Sequence, residues 1–281
     1  MRANFLRVLA GVIFLICIDL LARAFGVLDF PLYENNKTLG YIPAPNQHGM
    51  FLRKNDWAFN ELSMGTTKPF VPQASPRNIL LIGDSIVLGG NLMPQKLKLG
   101  PLLDDKCPQI WPISAGSWSF NNEVRYLQLH ADILHYFNRI VFILNSEDFG
   151  SASKWASEIT HPTYRPLSSI YYLARKFFGH ADEGLVDNDP DWRIGFEWLL
   201  ENYGGSLTVV LFASKREMLD QRAQSDLDKH VTELASHRVS VTKIADDPSW
   251  TTDYYRDDIH PNSNGELVLA NILLRAIPEC N

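Results

Sequence analysis

Asn78-Ile79-Leu80-Leu81-Ile82-Gly83-Asp84-Ser85 is the stretch on which the reading of the fold turns. A short, unbroken apolar run closed by glycine is what a parallel strand buried on both faces requires. Working outward, the same form recurs at residues 110–113, 140–144, 207–212 and 239–241. Helix-length stretches separate these runs, at 122–136, 191–203 and 215–236, and a last one is expected at 264–276. Strand and helix in alternation imply βαβ units and a parallel sheet, so the fold class is α/β. In such open sheets ligands bind beyond the carboxyl ends of the strands. Residues just past each apolar run are therefore the candidates for chemistry.

Upstream of residue 77 the pattern changes. Between 29 and 76 the prolines at 31, 43, 45, 69, 72 and 76 interrupt any helix. Met50 to Arg53 and Trp57 to Asn60 flank Lys54-Asn55-Asp56, which reads as a hairpin with a polar turn. The segment is expected to be an extended arm joining the membrane to the domain at 77–281, with packing on that domain left open.

The first 28 residues are different again. Arg2 and Arg7 precede an apolar run from Val8 to Ile18, and after Asp19 the run resumes to Ala22. Two readings stay open. One is a signal peptide cleaved after Ala22-Arg23-Ala24. The other is a membrane anchor from about residue 5 to 25, close to the ~20 residues a bilayer needs. Basic residues before the run keep the N-terminus in the cytoplasm under either reading and export the rest. Cys107 and Cys280 are then free to pair in an oxidising compartment, while Cys17 lies in the apolar run. The net charge of −6 and pI near 5.7 argue against a nucleic-acid partner.

Ser85 lies three residues past Ile82, at the carboxyl end of the first predicted strand. A serine hydroxyl becomes a nucleophile only when a base takes its proton, and that base needs an orienting acid. Among the eight histidines, His260 has the fitting context, Asp257-Asp258-Ile259-His260-Pro261-Asn262, with a carboxylate three residues earlier in a polar loop. The alternative is a capped turn at Ser85 and a helix start at Asn262 or Ser263.

Leu81 to Gly89 resembles the first block of the SGNH (GDSL) hydrolase family, and Asp257 to Asn262 with Gly265 resembles its last block, so the resemblance covers about residues 77 to 281. It implies a flavodoxin-like three-layer α/β/α sandwich, a triad of Ser85, His260 and Asp257, no cofactor, and activity on esters, often acyl groups on sugars. The apolar run with the stretch from Leu39 to Asn46 resembles membrane-anchored bacterial members. That points to a single-pass inner-membrane protein with its catalytic domain in the periplasm. In the family the oxyanion is held by the nucleophile's N–H, a glycine N–H and an asparagine. Counted from Ser114, the glycine position falls on Ser119, with Gly116 as the alternative; the asparagine position falls on Asn145. Donors of this kind are typically worth about 3 kcal/mol each.

The resulting expectation is a serine esterase removing acyl, chiefly acetyl, groups from an extracytoplasmic glycan. An O-acyltransferase acting on a polysaccharide and a non-catalytic glycan-binding module are the alternatives. Asp187 to Asp191 imitates the start of a calcium loop but lacks its glycine and glutamate, and reads as a solvated turn capping the next helix. His130 and His135, five apart, face different ways on a helix, so no metal site is expected. Tyr164, Tyr171, Tyr172 and Trp155 are open to a sugar subsite or to core packing.

Overall fold

A computed structural model describes residues 2–72, 78–107, 109–179, 184–237 and 239–280. The chain opens with α1 (Arg2–Ala24), followed by two hairpins, β1 (Tyr33–Asn36) with β2 (Gly40–Pro43), and β3 (Gln47–Phe51) with β4 (Asn55–Phe59). The α/β part then runs β5 (Asn78–Gly83), α2 (Ser85–Leu88), α3 (Leu99–Asp104), β6 (Gln109–Ser114), α4 (Phe120–Leu129) and β7 (Arg139–Leu144). It continues through β8 (Ser153–Lys154), α5 (Ser169–Phe178), β9 (Gly184–Leu185), α6 (Trp192–Asn202) and β10 (Ser206–Leu211). It closes with α7 (Lys215–Leu219), α8 (Gln221–Ser236), β11 (Ser240–Lys243) and α9 (Ser263–Ala276).

The main sheet has the order β6-β5-β7-β10-β11, with every pair parallel. In order of appearance that is 2-1-3-4-5, the flavodoxin-like arrangement, whose switch point lies between the first and third strands, here β5 and β7. Alternation along β5 builds the two outer layers, because successive side chains leave a strand on opposite faces. Leu80 and Ile82 join one buried cluster with Phe120, Val124, Phe196, Leu199, Leu227 and Leu234 from α4, α6 and α8. Ile79 and Leu81 join the other with Ile86, Leu99, Leu103, Leu269, Ile272 and Leu273 from α2, α3 and α9. The molecule is a three-layer α/β/α sandwich.

Several expectations shift. The helix expected over 122–136 ends at Leu129, and 3-10 turns cover Ala131–Tyr136. The one expected over 215–236 is two helices, broken at Asp220, whose carboxylate caps α8 by accepting from Arg222 N. In the β3–β4 hairpin the reversal falls earlier, at Leu52 and Arg53, both in the left-handed region (φ 53° each), so Asn55 and Asp56 belong to the strand. The segment between 29 and 72 packs on the domain, as one form of the expected arm would. Leu39, Tyr41, Ile42 and Met64 lie in the core cluster with Leu80 and Trp111, and the Trp118 indole N–H donates to Tyr41 O at 2.9 Å. The boundary expected between 76 and 77 lies outside the described residues.

Cys107 and Cys280 form a disulfide that closes a loop of 173 residues and ties the end of α3 to the C-terminal turn. Closing so long a loop chiefly removes conformations from the unfolded chain and typically stabilises by about 3 kcal/mol. Cys280→Ser is therefore expected to lower Tm by roughly 6–12 °C, read by circular dichroism. An unchanged Tm would show that the link constrains nothing.

Candidate active site

Gly83 ends β5 where no side chain fits: a Cβ there would come 2.5 Å from Val87 Cγ2 and 3.0 Å from Ile143 O. The chain turns at Asp84, whose carboxylate caps α2 by accepting from Ile86 N at 2.8 Å. Ser85, the first residue of α2, is thereby held at the carboxyl end of β5, partly exposed.

The partner loop comes from the far end of the chain. Tyr255 bridges to Pro261, Arg256 N donates to His260 O, and Asn262 N donates to Tyr254 O, which closes residues 254–262 into a narrow loop. Lys215 N donates to Asp258 O and the Tyr255 hydroxyl donates to Ala213 O, fastening the loop beyond β10. Asn262 caps α9 by accepting from Asn264 N and Gly265 N. Gly265 is needed for close approach, since a Cβ would lie 2.4 Å from Tyr254 O.

This scaffold brings His260 Nε2 to 2.9 Å from Ser85 Oγ, while His260 Nδ1 lies 2.9 and 3.0 Å from the two Asp257 oxygens. Asp257 Oδ1 also accepts from the N–H groups of Ile259 (3.1 Å) and His260 (2.8 Å). Burial raises the Asp257 carboxyl, but these backbone hydrogen bonds and the His260 ring outweigh it and bring it down to about 2. Asp257 is ionised across the working range of pH and keeps a proton on Nδ1, leaving Nε2 to accept from Ser85. Asp258 is exposed and contributes its carbonyl, not its side chain, to this loop.

Opposite Ser85 the expected donors are placed differently. Ser119 caps α4: its N–H donates to Asn122 Oδ1 at 3.0 Å, and it is 5% exposed. With that N–H committed inside the protein, Ser119 is corrected from oxyanion donor to helix cap. Asn145 follows β7, and its amide donates to Asp148 Oδ2 (2.9 Å) and Asp84 Oδ2 (3.3 Å). Both amide protons are thus spent on carboxyl groups in this arrangement. Gly116 is left: it lies two residues past Ser114, as Ser85 lies two past Gly83, and Gly83 and Ser114 are paired across β5 and β6. Neighbouring strands are about 4.8 Å apart, and among the described residues the Gly116 N–H meets no acceptor.

Sequence reading missed what lies beneath. Asp84, Asp148 and Glu123 are all buried, and neither Glu123 oxygen has a hydrogen-bond partner among the described residues. Burial pushes the Asp84 carboxyl up to about 6, and burial with mutual repulsion holds Glu123 and Asp148 well above the ordinary range. It missed Asn122 too, fully buried, which donates to Leu39 O and Ser153 O and accepts from Ser119 N and Ser153 N. Capping asparagines usually face solvent, and nothing local marks this one as joining the N-terminal hairpins to the loop after β6.

The turn at Asp187–Asp191 is only half as expected. Asp191 caps α6 by accepting from Arg193 N. Asp189, however, is buried against Arg125, and accepts from Asn121 Nδ2 and Ala152 N. Among the described residues no group of histidine, cysteine and carboxylate side chains is disposed to hold a metal. Tyr172 packs on Phe30 with ring centroids 5.0 Å apart, and the Trp155 indole donates to His161 O, whereas Tyr164 and Tyr171 are exposed. Beside Gly116 opens a cavity of about 380 Å³, walled by Tyr33, Tyr41, His161, Lys154 and Lys176; Ser85 and His260 are not in its wall.

No family model matches the sequence, and no curated protein matches it. Solved structures do. A member of the lipolytic G-D-S-L family from Veillonella parvula is 14% identical over 70% of this chain and 96% of its own, with a TM-score of 0.44. The esterase EstA from a Pseudoalteromonas species is 11% identical over 71% and 96% of the two chains, with a TM-score of 0.42. An acetylxylan esterase from Geobacillus stearothermophilus is 13% identical over 74% and 97%, with a TM-score of 0.41.

Proposed function

We propose that this protein is a membrane-anchored serine esterase of the SGNH type that removes acyl groups, chiefly acetyl, from a glycan outside the cytoplasm. The observation that carries the reading is the unbroken hydrogen-bond chain from Ser85 Oγ through His260 to Asp257 at 2.9 to 3.0 Å. In this mechanism His260 Nε2 takes the Ser85 proton as Oγ attacks the ester carbonyl, and the imidazolium is stabilised by ionised Asp257. The Ser85 N–H, in the first turn of α2, and the Gly116 N–H, which meets no acceptor among the described residues, hold the oxyanion. His260 returns the proton to the leaving alcohol, then activates the water that cleaves the acyl-serine. The glycan is supported by the aromatic wall beside Gly116, where Tyr41 and His161 stack at 3.7 Å.

The location is supported by α1, whose Asn4–Ala24 stretch is long and apolar enough to cross a membrane, with mean hydropathy 2.5 over its most apolar 18 residues, none of them buried in the protein. The basic N-terminal flank sets its orientation, and the Cys107–Cys280 disulfide fits an oxidising compartment. A fluorophosphonate probe is expected to label Ser85 covalently, located by mass spectrometry of the peptide. Equal labelling of Ser85→Ala would end the assignment. Release of acetate from acetylated polysaccharide, compared with transfer to an added glycan acceptor, separates hydrolysis from acyl transfer.

A further inference from the structure

Asp19 is a costly residue in an apolar run, and its contacts say what it does. Its carboxylate accepts from the Ser168 hydroxyl at 2.8 Å and from Ile170 N at 3.0 Å, and pairs with Arg23 at 3.0 Å. Arg23 in turn donates to Pro166 O. The last turns of α1 therefore cap α5 and hold its first turn against themselves. The β3–β4 tip meets the same end of α1, with Arg53 Nε donating to Ala24 O at 2.9 Å and Leu52 N to Gly26 O.

Both elements that grip the end of α1 expose large apolar side chains. Leu167 is 92% exposed, Tyr171 62%, Phe177 77% and Phe178 87%, and Leu52 at the hairpin tip is 41% exposed. Tyr171, Ala174 and Phe178, at i, i+3 and i+7, share one face of α5, while Ser169 and Tyr172 face the protein. Arg53, Lys54, Arg175 and Lys176 are exposed among them. Apolar and aromatic side chains rimmed by cations suit the boundary between acyl chains and anionic headgroups. The depth agrees: Asp19 is five residues before Ala24, about 7 Å along the helix axis, which puts the α1–α5 contact within the interfacial layer of a bilayer spanned by α1.

We infer that α5 and the β3–β4 tip form a second membrane contact, an amphipathic collar that seats the α/β domain on the lipid surface around its anchor. This rests on the reading of α1 as a spanning helix. Lys176 on α5 and Gly116 wall the same cavity, so the collar fixes that cavity relative to the bilayer.

The test uses the full chain in vesicles of phosphatidylethanolamine with phosphatidylglycerol. Nitroxide labels report collision with oxygen, enriched in lipid, against a water-soluble nickel chelate. Cys17 is the only free cysteine among the described residues and serves as the internal standard. Phe178→Cys in a Cys17→Ala background carries the test label. Leu129→Cys in the same background, at the end of α4 and 46% exposed, gives the value for water. The expected result is an oxygen-to-nickel ratio at 178 several-fold above that at 129 and approaching that at Cys17. A ratio at 178 equal to that at 129, with Cys17 still favouring oxygen, overturns the collar and leaves the anchor standing. A label at 178 shielded from both reagents also overturns it and points to a protein partner. Cys17 favouring nickel refutes the anchor itself.

Discussion

Ser85→Ala is expected to lower ester turnover by about 10⁴–10⁶-fold and to move the denaturation midpoint very little. The Ser85 hydroxyl is partly exposed, and its contacts are His260 Nε2 and, at 3.4 Å, Asp84 Oδ2. Its loss leaves no cavity and strands no buried group that the Asn145 amide does not already serve. His260→Ala should cost a similar factor. The double variant should be no slower than either single one, because the two act as one unit and removing either disables the other. Turnover of p-nitrophenyl acetate measures all three. Losses that multiply in the double variant would mean that serine and histidine act independently. Asp257→Asn should cost less, about 10²–10⁴-fold, since an amide still accepts from the Ile259 and His260 N–H groups but no longer stabilises the imidazolium. With the Asp257 carboxyl held near 2, its protonation does not set the acid limb of the rate profile above about pH 4.

How much of this is legible in the sequence depends on where each constraint comes from. Four of the five main strands show because burial demands unbroken apolar runs, and no distant residue is needed to read one; the fifth, β11, is a partly exposed edge strand marked only by a short run. Ser85, Asp257 and His260 show for a related reason: the turn at Gly83 and the spacing from Asp257 to His260 are local. The donors proposed for the oxyanion do not, because a backbone N–H leaves no trace in residue type, and the choice between Gly116 and Ser119 depends on Asn122 reaching back to Ser119 N. The α5 helix escapes a sequence reading because its apolar residues answer to two surroundings, with Tyr172 turned inward and Tyr171, Phe177 and Phe178 outward. Asp189 reads as solvated because Asn121, Arg125 and Ala152, the groups that bury it, lie 37 to 68 residues away. Asp19 looks like a blemish in an apolar run until Ser168 and Ile170, about 150 residues on, are seen to need it.

Raising the pH from about 5 to 7 is expected to destabilise the protein, the reverse of ordinary acid denaturation. In the unfolded chain Asp84, Glu123, Asp148 and Glu266 lose their protons near pH 4. Folded, Asp84 keeps its proton to about 6 because it is buried, and Glu266, also buried, keeps its proton to about 8. Burial holds Glu123 and Asp148 high as well. Between these limits the native state binds more protons than the unfolded one, so stability drops by about 1.4 kcal/mol per pH unit for each such group. The contribution is complete below about pH 4 and is lost as pH climbs through the folded values. Asp257, drawn down to about 2, works in the opposite sense, but only below about pH 4. Glu123→Gln isolates the effect, because Glu123 is fully buried with two unpartnered oxygens and an amide of the same shape carries no proton to lose. The variant should be more stable than the parent near pH 7, and its slope between about pH 5 and 7 should be shallower by about 1.4 kcal/mol per unit, read from urea midpoints. Equal slopes in the two proteins would mean that Glu123 ionises as freely folded as unfolded. Three acids beneath Ser85 would then be a charged cluster, and burial would not be what keeps them neutral.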